Sequence, residues 1–312
     1  MEHWVPRFEE NKDSLTMKIN CPHCQKMSSL YFISKDYNRR TTNEYFHHYR
    51  CTDCDLIFIS PLPEILGAYY PDTYHSLPDS LDALQVASER DRYKIEIVQK
   101  FATSASLLEI GPSYGGFAYL AKTAGFHVDT IEMDAKCCEY LRSVVGVNVV
   151  NSSNPAKAIH QAEPHDIVTL WHVIEHLPNA LEVLEAISMN VRLGGYVVIS
   201  SPNPDSFQFH VLGRHWLHLD APRHVMLIPS KLLIAKMEHL GMKAEWMTTR
   251  DIGTVRCTVA GWQFFFVNLS KNRLLRIFLF LIGTLVSILF YPIERIEGKG
   301  SAYTIVFKKV KN

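Results

Sequence analysis

Apolar and polar positions follow two different patterns in the middle of the chain. Apolar residues recur every three or four positions in 116–124, 135–145 and 180–190, which predicts three helices. Short apolar runs lie around these helices and predict five buried strands, at 107–110, 128–132, 147–150, 167–170 and 196–200. Strands and helices that alternate at this pitch indicate a parallel sheet with helices on both faces.

The C-terminal third continues this pattern and then departs from it. A helical pattern covers 231–240, and two further strand patterns cover 243–251 and 301–310. A strongly apolar insertion, residues 253–300, separates those two strands. The fold class that we predict is therefore an α/β domain with a doubly wound, seven-stranded, mostly parallel sheet.

The N-terminal hundred residues differ from the rest of the chain in composition and pattern. β-branched and aromatic residues surround two CxxC pairs in 18–60, which predicts short strands and turns. A connector rich in proline and tyrosine follows, and a helical pattern then covers 88–101. We predict three units, which are a small module at 1–60, a connector with its helix at 61–104, and the α/β domain at 105–312.

Composition and charge narrow the classes of function. Lysine and arginine together number 32, and so do aspartate and glutamate. The chain therefore lacks the excess of basic residues that a nucleic-acid-binding protein normally has. The first residues, MEHWVPRFEENKDS, are charged and lack the apolar segment of a secretory signal. Seven cysteines, four of them in two CxxC pairs, favour metal ligation in a reducing compartment over disulfides. We expect a cytoplasmic protein.

The two CxxC pairs predict a metal site. Cys21 and Cys24 form the first pair, and Cys51 and Cys54 form the second. Each pair places two thiolates on one side of a tight turn, and two pairs close the tetrahedral shell of a four-cysteine zinc ribbon. A closed shell leaves no position for a substrate, so we expect the Zn²⁺ to be structural. Four reduced core cysteines and a redox-active pair are the alternatives.

A glycine-rich turn after the first strand of the α/β domain indicates a bound cofactor. In LLEIGPSYGGF (107–117), Gly111 and Gly115 allow the backbone to bend tightly and to approach a ligand. Glu132 ends the next strand and is placed to accept hydrogen bonds from ribose hydroxyls. A nicotinamide dehydrogenase is the obvious competitor, but Ser113 occupies the middle glycine position of its G-x-G-x-x-G motif.

Three further segments follow this turn, and their order along the chain is similar to that of motifs in a known family. They are HDIVTLWHVIEHL (165–177), LGGYVVISSPNPDS (193–206) and DAPRHVMLIPSKLL (220–233). Together with the turn they resemble the class I S-adenosylmethionine-dependent methyltransferases over 107–310. The first of the three is similar to the ubiquinone-pathway O-methyltransferases. The resemblance implies an enzyme that uses S-adenosylmethionine.

The resemblance also implies which residues contact the cofactor. These are Glu109, Gly111 and Gly115 around the methionine part, Glu132 at the ribose, Met133 on the adenine, and Trp171 and His172 after the fourth strand. Core packing is the alternative for Met133 and Trp171. Many relatives carry an acidic residue near the adenine amino group, where this chain has Asn151, Ser152 and Ser153.

A second resemblance covers most of the chain apart from the apolar insertion. CPHC, CTDCDLIFISPLP and YYPDTYHS match the layout of the sugar-nucleotide methyltransferases, which have a four-cysteine zinc module, a tyrosine-rich connector and then the methyltransferase domain. This resemblance implies a sugar-derived small molecule, a nucleotide sugar or a glycan as the methyl acceptor. The alternative is O-methylation of a quinone-like or other lipid acceptor. A zinc-ribbon binding module on a catalytically silent cofactor-binding domain is the rival from another class.

Two histidines are candidates for the chemistry. His176 and His224 follow the fourth and fifth strands, at the sheet edge where open α/β sheets bind ligands, and imidazole titrates in the range that suits a general base. The sugar-methylating resemblance implies His224 as the base, although the tyrosine that often precedes it is absent from LDAPRH. The ubiquinone-type resemblance implies that Glu175 and His176 border the substrate and take part in binding a divalent cation. Each histidine ordering only its own loop is the alternative.

The apolar insertion raises the question of a membrane. Residues 277–291 carry no charge, a length slightly short for a spanning helix. A single pass would also separate the strand that follows from its sheet. We expect 261–291 to make a peripheral contact with the inner face of a membrane or a homodimer contact, and not to cross a bilayer.

Overall fold

The computed structural model describes residues 18–71 and 74–311, which form two β-sheets and the helices packed on them. The beginning of the N-terminal module and two residues of the YYPDTYHS segment therefore lie outside the described residues. The strands, in chain order, are β1 (Ile19–Asn20), β2 (Met27–Ser34), β3 (Phe46–Cys51), β4 (Ile57–Ile59), β5 (Ser106–Ile110), β6 (His127–Glu132), β7 (Asn148–Asn151), β8 (Ile167–Trp171), β9 (Tyr196–Pro202), β10 (Met226–Leu227), β11 (Met242–Thr248) and β12 (Ala302–Lys309).

The α-helices accompany the strands from the connector onward. In chain order they are α1 (Leu81–Ser88), α2 (Arg92–Gln99), α3 (Gly116–Thr123), α4 (Ala135–Tyr140), α5 (Pro155–Gln161), α6 (Ala180–Asn190), α7 (Phe207–Leu212), α8 (Ser230–His239), α9 (Ile252–Val267) and α10 (Arg273–Glu294). A π-helical turn, Leu141–Val145, extends α4. The helix predicted at 88–101 is wrong in extent, because Ser80 caps a helix that begins at Leu81 and the chain breaks into a short 3₁₀ turn at Glu89–Asp91.

The larger sheet confirms the predicted fold class. Its strand order is β11-β12-β9-β8-β5-β6-β7. The five strands from β9 to β7 are parallel, and β12 runs antiparallel to both β9 and β11. Side chains alternate across a strand, so Leu107 and Leu108 of β5 belong to separate apolar cores, one with α1 to α3 and one with α5, α6 and α8. Helices therefore cover both faces.

The smaller sheet joins the N-terminal module to the α/β domain. Its order is β1-β2-β3-β4-β10, and β10 comes from the segment that follows the fifth parallel strand. Cys21, Tyr49 and Leu56 of the module lie in the same apolar core as Ile110 of β5. The division of the chain at residue 60 stays a prediction, but in space the module is continuous with the domain.

The apolar insertion forms a helical hairpin. α9 begins at the capping residue Asp251, directly after β11, and α10 returns the chain to β12. β11 and β12 pair with each other, from Met242 with Lys309 to Thr248 with Thr304. Both ends of the hairpin are therefore attached at the same end of two neighbouring strands.

Candidate active site

The four cysteines of the two CxxC pairs converge on one point. The Sγ atoms of Cys21 and Cys54 lie 3.6 Å apart, those of Cys24 and Cys51 3.4 Å, and those of Cys24 and Cys54 3.7 Å. Four thiolates around a zinc ion at about 2.3 Å would form a tetrahedron with edges of about 3.8 Å. Backbone N–H groups of the turns also point at the sulfurs, as between His23 N and Cys21 Sγ at 3.4 Å. The residues present therefore fit a tetrahedral zinc ion.

The glycine-rich turn leads from β5 into α3. Gly111 and Gly115 have φ of 69° and 81°, a region that disfavours side chains. A Cβ at Gly111 would lie 2.7 Å from Val173 Cγ2, and one at Gly115 would lie 2.5 Å from Leu141 Cδ2. Of the described residues, Gly111 lines the large cleft and Gly115 does not. Gly115 is thus required by the close packing of the turn against the π-helical segment after α4.

Glu132 ends β6 and holds the turn in place. Its carboxylate accepts hydrogen bonds from the backbone N–H groups of Ser113 at 3.0 Å, Met133 at 2.7 Å and Asp134 at 2.9 Å. These bonds compensate the desolvation of the carboxylate. They still leave it able to accept further hydrogen bonds, because two ionised oxygens offer about four lone-pair directions. Glu132 lines the cleft, so a ribose hydroxyl can reach it.

Glu109 lies beneath the turn and is fully enclosed. Its Oε2 has no hydrogen-bond partner among the described residues. Burial raises the pKa of Glu109 to about 8, an effect that Lys94 partly offsets and that Asp91 and Glu132 reinforce. A buried, unpartnered carboxylate oxygen is a place where a cationic ligand group compensates desolvation.

The other predicted cofactor residues lie at the same cleft. Met133, Trp171 and His172 all line it. The side chain of Met133 is 61% exposed, so core packing is the wrong interpretation for that residue. Trp171 is buried against Phe117, with ring centroids 5.4 Å apart, so for Trp171 packing and cleft lining both hold. Asn151 ties the strand ends together by donating to the carbonyl of Met133.

His176 and His224, which follow neighbouring strands, lie side by side. Their ring centroids are 4.5 Å apart, in an edge-to-face arrangement. His176 Nδ1 lies 3.1 Å from the carbonyl of Arg223, and His224 Nδ1 lies 2.7 Å from the carbonyl of His218. A carbonyl can only accept, so Nδ1 of each ring donates to it, and Nε2 is the nitrogen left for other partners. His176 lines the cleft, and His224 lies partly exposed beside it.

Glu175 completes a cluster with the two histidines. One ligand atom from each of Glu175, His176 and His224 lies within 4.8 Å of the others. Burial alone would raise the pKa of Glu175, but the contact with His172 and the nearby imidazoles of His224 and His176 lower it to about 2. Burial and the neighbouring His224 lower the pKa of His176 to about 4, so that ring is neutral at pH 7. A buried carboxylate and two imidazoles form a donor set that fits a divalent cation.

A buried ion cluster holds the loop that carries His224. The guanidinium of Arg223 is fully buried and contacts Asp36 Oδ1 at 2.6 Å and Asp220 Oδ1 at 2.8 Å. Asp36 belongs to the N-terminal module, and it also accepts from the backbone N–H of Thr41. The module thereby fixes the position of the loop at 218–224.

Several residues at the cleft were not predicted from the sequence. Tyr70 OH lies 2.9 Å from His176 Nδ1, and His75 Nδ1 lies 2.7 Å from Ser113 Oγ. Arg39 lies over the ring of Tyr74, 4.5 Å from its centroid. The tyrosine-rich composition of the connector was the signal that could have identified Tyr70 and Tyr74. The cleft that these residues line has a volume of about 1030 Å³, which is room for a nucleoside cofactor together with an acceptor.

Comparison with known proteins assigns this site to a family. The methyltransferase-domain family, described as "Methyltransferase domain", matches residues 86–245, about half of the chain. The chain belongs to this family. It is an S-adenosylmethionine-dependent methyltransferase, which confirms the predicted enzyme class and cofactor. The nicotinamide dehydrogenase alternative is therefore wrong.

Curated relatives are similar to part of the chain. The ubiquinone biosynthesis O-methyltransferase of Bordetella avium is 30% identical over 140 residues, which are 42% of this chain and 58% of that protein. The protein of the same name from Aeromonas salmonicida is 27% identical over 173 residues, 53% of this chain and 71% of that protein. The chain spans less than two thirds of the length of the first of these relatives.

Solved structures give more distant matches. A SAM-dependent methyltransferase from Archaeoglobus fulgidus has 20% identity and a TM-score of 0.48, covering 72% of this chain and 94% of that one. Coclaurine N-methyltransferase bound to N-methylheliamine and SAH has 14% identity and a TM-score of 0.46, covering 73% and 71%.

Proposed function

We propose that this enzyme transfers a methyl group from S-adenosylmethionine to a hydroxyl of a sugar-derived small molecule, a nucleotide sugar or a glycan. The observation that carries this proposal is the pair of imidazoles, His176 and His224, beside a cleft wall made of tyrosine, histidine and arginine. The tyrosine-rich connector supplies much of that wall.

The cofactor half of the cleft would hold S-adenosylmethionine through the predicted residues. Glu132 would accept from the ribose hydroxyls, and Met133 would pack on the adenine. Glu109 would lie beneath the methionine part, whose ammonium group would compensate the buried carboxylate. Gly111, Trp171 and His172 would line the path of the activated methyl group.

The acceptor half suits a molecule with several hydroxyl groups. Tyr70 and Tyr74 present aromatic faces, and the guanidinium of Arg39 and the tyrosine hydroxyls supply polar groups beside them. Sugar rings have apolar C–H faces and polar edges, so a wall of this composition can satisfy both. A wholly apolar acceptor would leave the polar groups of this wall desolvated without partners, which costs binding free energy.

The chemistry that we assign to the histidines is removal of one proton. The acceptor oxygen forms a bond to the methyl carbon while the bond between that carbon and the sulfur breaks, which leaves a neutral thioether. The hydroxyl proton passes to Nε2 of His224, whose Nδ1–H is fixed by His218. His176 orients the acceptor beside it. The cofactor supplies the leaving group, so positioning and this proton transfer are the tasks of the chain.

We also propose that Cys21, Cys24, Cys51 and Cys54 hold one structural Zn²⁺. Their Sγ separations support this assignment, and free thiolates require a reducing compartment such as the cytoplasm. Elemental analysis of protein purified without added metal is expected to find about one zinc per chain. Well-folded protein with a stoichiometry near zero would contradict the assignment.

A second candidate function is O-methylation of a quinone-like or other lipid acceptor. The Glu175–His176–His224 cluster favours it, because a divalent cation held there would lower the pKa of a bound phenol or catechol hydroxyl. The names of the curated relatives are in line with this candidate.

One experiment separates the two candidates. The purified enzyme is incubated with methyl-labelled cofactor and with nucleotide sugars, free glycans or quinone precursors, each with and without a chelator that leaves the cysteine site loaded. The proposal expects label in a sugar fraction, with turnover that persists under chelation. Label only in quinone precursors, abolished by the chelator and restored by Mg²⁺, would overturn it in favour of the second candidate.

A further inference from the structure

Helix α10 exposes a continuous apolar surface. We define the apolar face as the outward residues of α10, which are between 45% and 78% exposed: Leu274, Leu275, Ile277, Phe278, Phe280, Leu281, Leu285, Ile288 and Leu289. The helix has 22 residues and is about 33 Å long. Within the described residues it is the helix that is long and apolar enough, by length and composition, to cross a membrane. Apolar patches of this size on a protein surface mark interaction sites.

The side of α10 that packs on α9 combines small and polar residues with Phe290, whose ring centroid lies 5.3 Å from that of Trp262. The buried residues of α10 are Gly283, Ser287 and Glu294. A Cβ at Gly283 would lie 2.9 Å from the carbonyl oxygen of Trp262, so the two helix backbones approach closely. Gln263 donates to Thr284 at 3.0 Å, and Trp262 Nε1 donates to Glu294 at 2.8 Å. A close approach of two helix backbones and hydrogen bonds between the helices, with large apolar residues exposed on the other side, are typical of helices packed in lipid.

The topology restricts how a bilayer can meet this face. β11 and β12 flank the hairpin and pair with each other, so both flanks lie on the same side of any bilayer. α9 cannot serve as a second spanning helix, because Trp262 is buried in one apolar cluster with Phe209 and Trp216 of the α/β domain. α10 therefore meets a bilayer lengthwise, along its surface.

The charges at the ends of α10 point to lipid and not to a second copy of the chain. Lys271, Arg273 and Arg276 are exposed at its beginning, and Arg295 is exposed at its end. Of the acidic residues at that end, Glu294 is buried against Trp262, and the exposed Glu297 is paired with Arg250 at 3.0 Å. Two α10 helices packed on each other, parallel or antiparallel, would bring cationic ends together in either orientation. Anionic lipid headgroups complement both ends at once.

We propose that the apolar face of α10 inserts lengthwise into the surface of a bilayer that contains anionic lipid, with the cationic ends at the headgroups. The hairpin is thus a peripheral membrane anchor. This inference does not depend on the identity of the methyl acceptor.

The test uses the full chain and two kinds of vesicle, one of phosphatidylcholine alone and one in which a third of the lipid is phosphatidylglycerol. The wild-type protein is expected to sediment with the anionic vesicles. The triple variant Leu281→Gln, Leu285→Gln and Ile288→Gln keeps helix propensity and charge, and its partitioning is expected to fall by about 100-fold, on the order of the loss of several inserted apolar side chains. Arg273→Gln with Arg276→Gln is expected to reduce the preference for anionic vesicles.

The matched control changes exposed apolar residues elsewhere. Val86→Gln, Met189→Gln and Leu193→Gln replace side chains that are at least 60% exposed and lie outside the hairpin, and partitioning is expected to stay at the wild-type level. Cofactor binding, measured by calorimetry for each variant, reports that the α/β domain is folded. The proposal is overturned if the wild-type protein stays in the supernatant, or if the α10 variant sediments like wild type. It is equally overturned if the wild type is a dimer that the α10 variant dissociates while vesicles bind neither.

Discussion

The two halves of the cleft are constructed differently. The cofactor half is formed where β5, β6 and β8 end, and Gly111, Glu132 and Trp171 each lie within a residue of a strand end. Backbone N–H groups orient Glu132 there. The acceptor half combines side chains from segments that are far apart in the chain, among them Arg39 and Tyr70. Side-chain contacts and a buried ion cluster orient that half.

This difference has a physical consequence for function. Backbone contacts at strand ends change only if the sheet changes, so the cofactor half is determined by the core itself. The acceptor half depends on Arg223, which is paired with Asp36 of the N-terminal module and with Asp220. Breaking a buried pair by removing one partner typically costs 3–5 kcal/mol. The cysteine module therefore contributes to the acceptor wall, and the two halves should respond independently to substitution.

The largest expected effect tests that independence at the imidazole pair. His224→Ala is expected to lower turnover about 10²- to 10⁴-fold, the usual contribution of a general base, while cofactor affinity stays near wild type. Steady-state kinetics and calorimetry measure the two quantities separately. His210→Ala removes an exposed histidine of α7 and serves as the control. If turnover survives His224→Ala and collapses in His176→Ala, the roles of the two rings are reversed.

The second effect concerns the carboxylate beneath the cofactor half. The pKa of Glu109 is raised from 4.5 to about 8, so the folded protein binds this proton more tightly than the unfolded chain does. Its contribution to stability is complete below about pH 4.5 and is lost as the pH rises through 8. Glu109→Gln is expected to remove this loss, so the cofactor-free variant should be more stable than wild type above pH 8 by roughly a few kcal/mol. The free energy of unfolding of both proteins is measured between pH 4.5 and 8. If it changes with pH in the same way in the variant and the wild type, Glu109 is not responsible for the loss of stability.

Most of the α/β fold could be predicted from the sequence. Buried parallel strands give continuous apolar runs, and β5, β6 and β8 match the predicted positions within a residue. The insertion was harder, because α9 is apolar on most sides and has no clear period. Its beginning depends on Asp251, which caps the helix by accepting from Thr254 N, and this cap ends the predicted strand 243–251 early.

The site was predictable to the extent that it is local. Glu132 and His176 follow strand ends, so their positions follow from the fold. Tyr70 contacts His176 from 106 positions earlier in the chain, and Asp36 pairs with Arg223 across 187 positions. Such contacts depend on how the N-terminal sheet docks through β10, and no periodicity within a short segment encodes that docking.

The third effect tests the cofactor half from its own side. Glu132→Ala removes an acceptor for the ribose hydroxyls and is expected to weaken cofactor binding by about 1–3 kcal/mol, the range for hydrogen bonds to a charged group. Calorimetry measures the affinity, and Glu139→Ala, at an exposed position of α4, is the control. An unchanged affinity would remove Glu132 from the site. Reduced turnover at saturating cofactor would show that the halves are coupled.

The smallest effect tests whether the connector positions His176. Tyr70→Phe removes the hydroxyl that lies 2.9 Å from His176 Nδ1, but the ring keeps its contact with the carbonyl of Arg223. One neutral hydrogen bond contributes about 0.5–1.5 kcal/mol, so turnover is expected to fall by roughly 2- to 12-fold with cofactor affinity unchanged. Tyr69→Phe is a matched control, because the neighbouring hydroxyl contacts exposed Glu44 instead. If cofactor affinity falls with turnover in Tyr70→Phe, the connector supports both halves, and their independence is refuted.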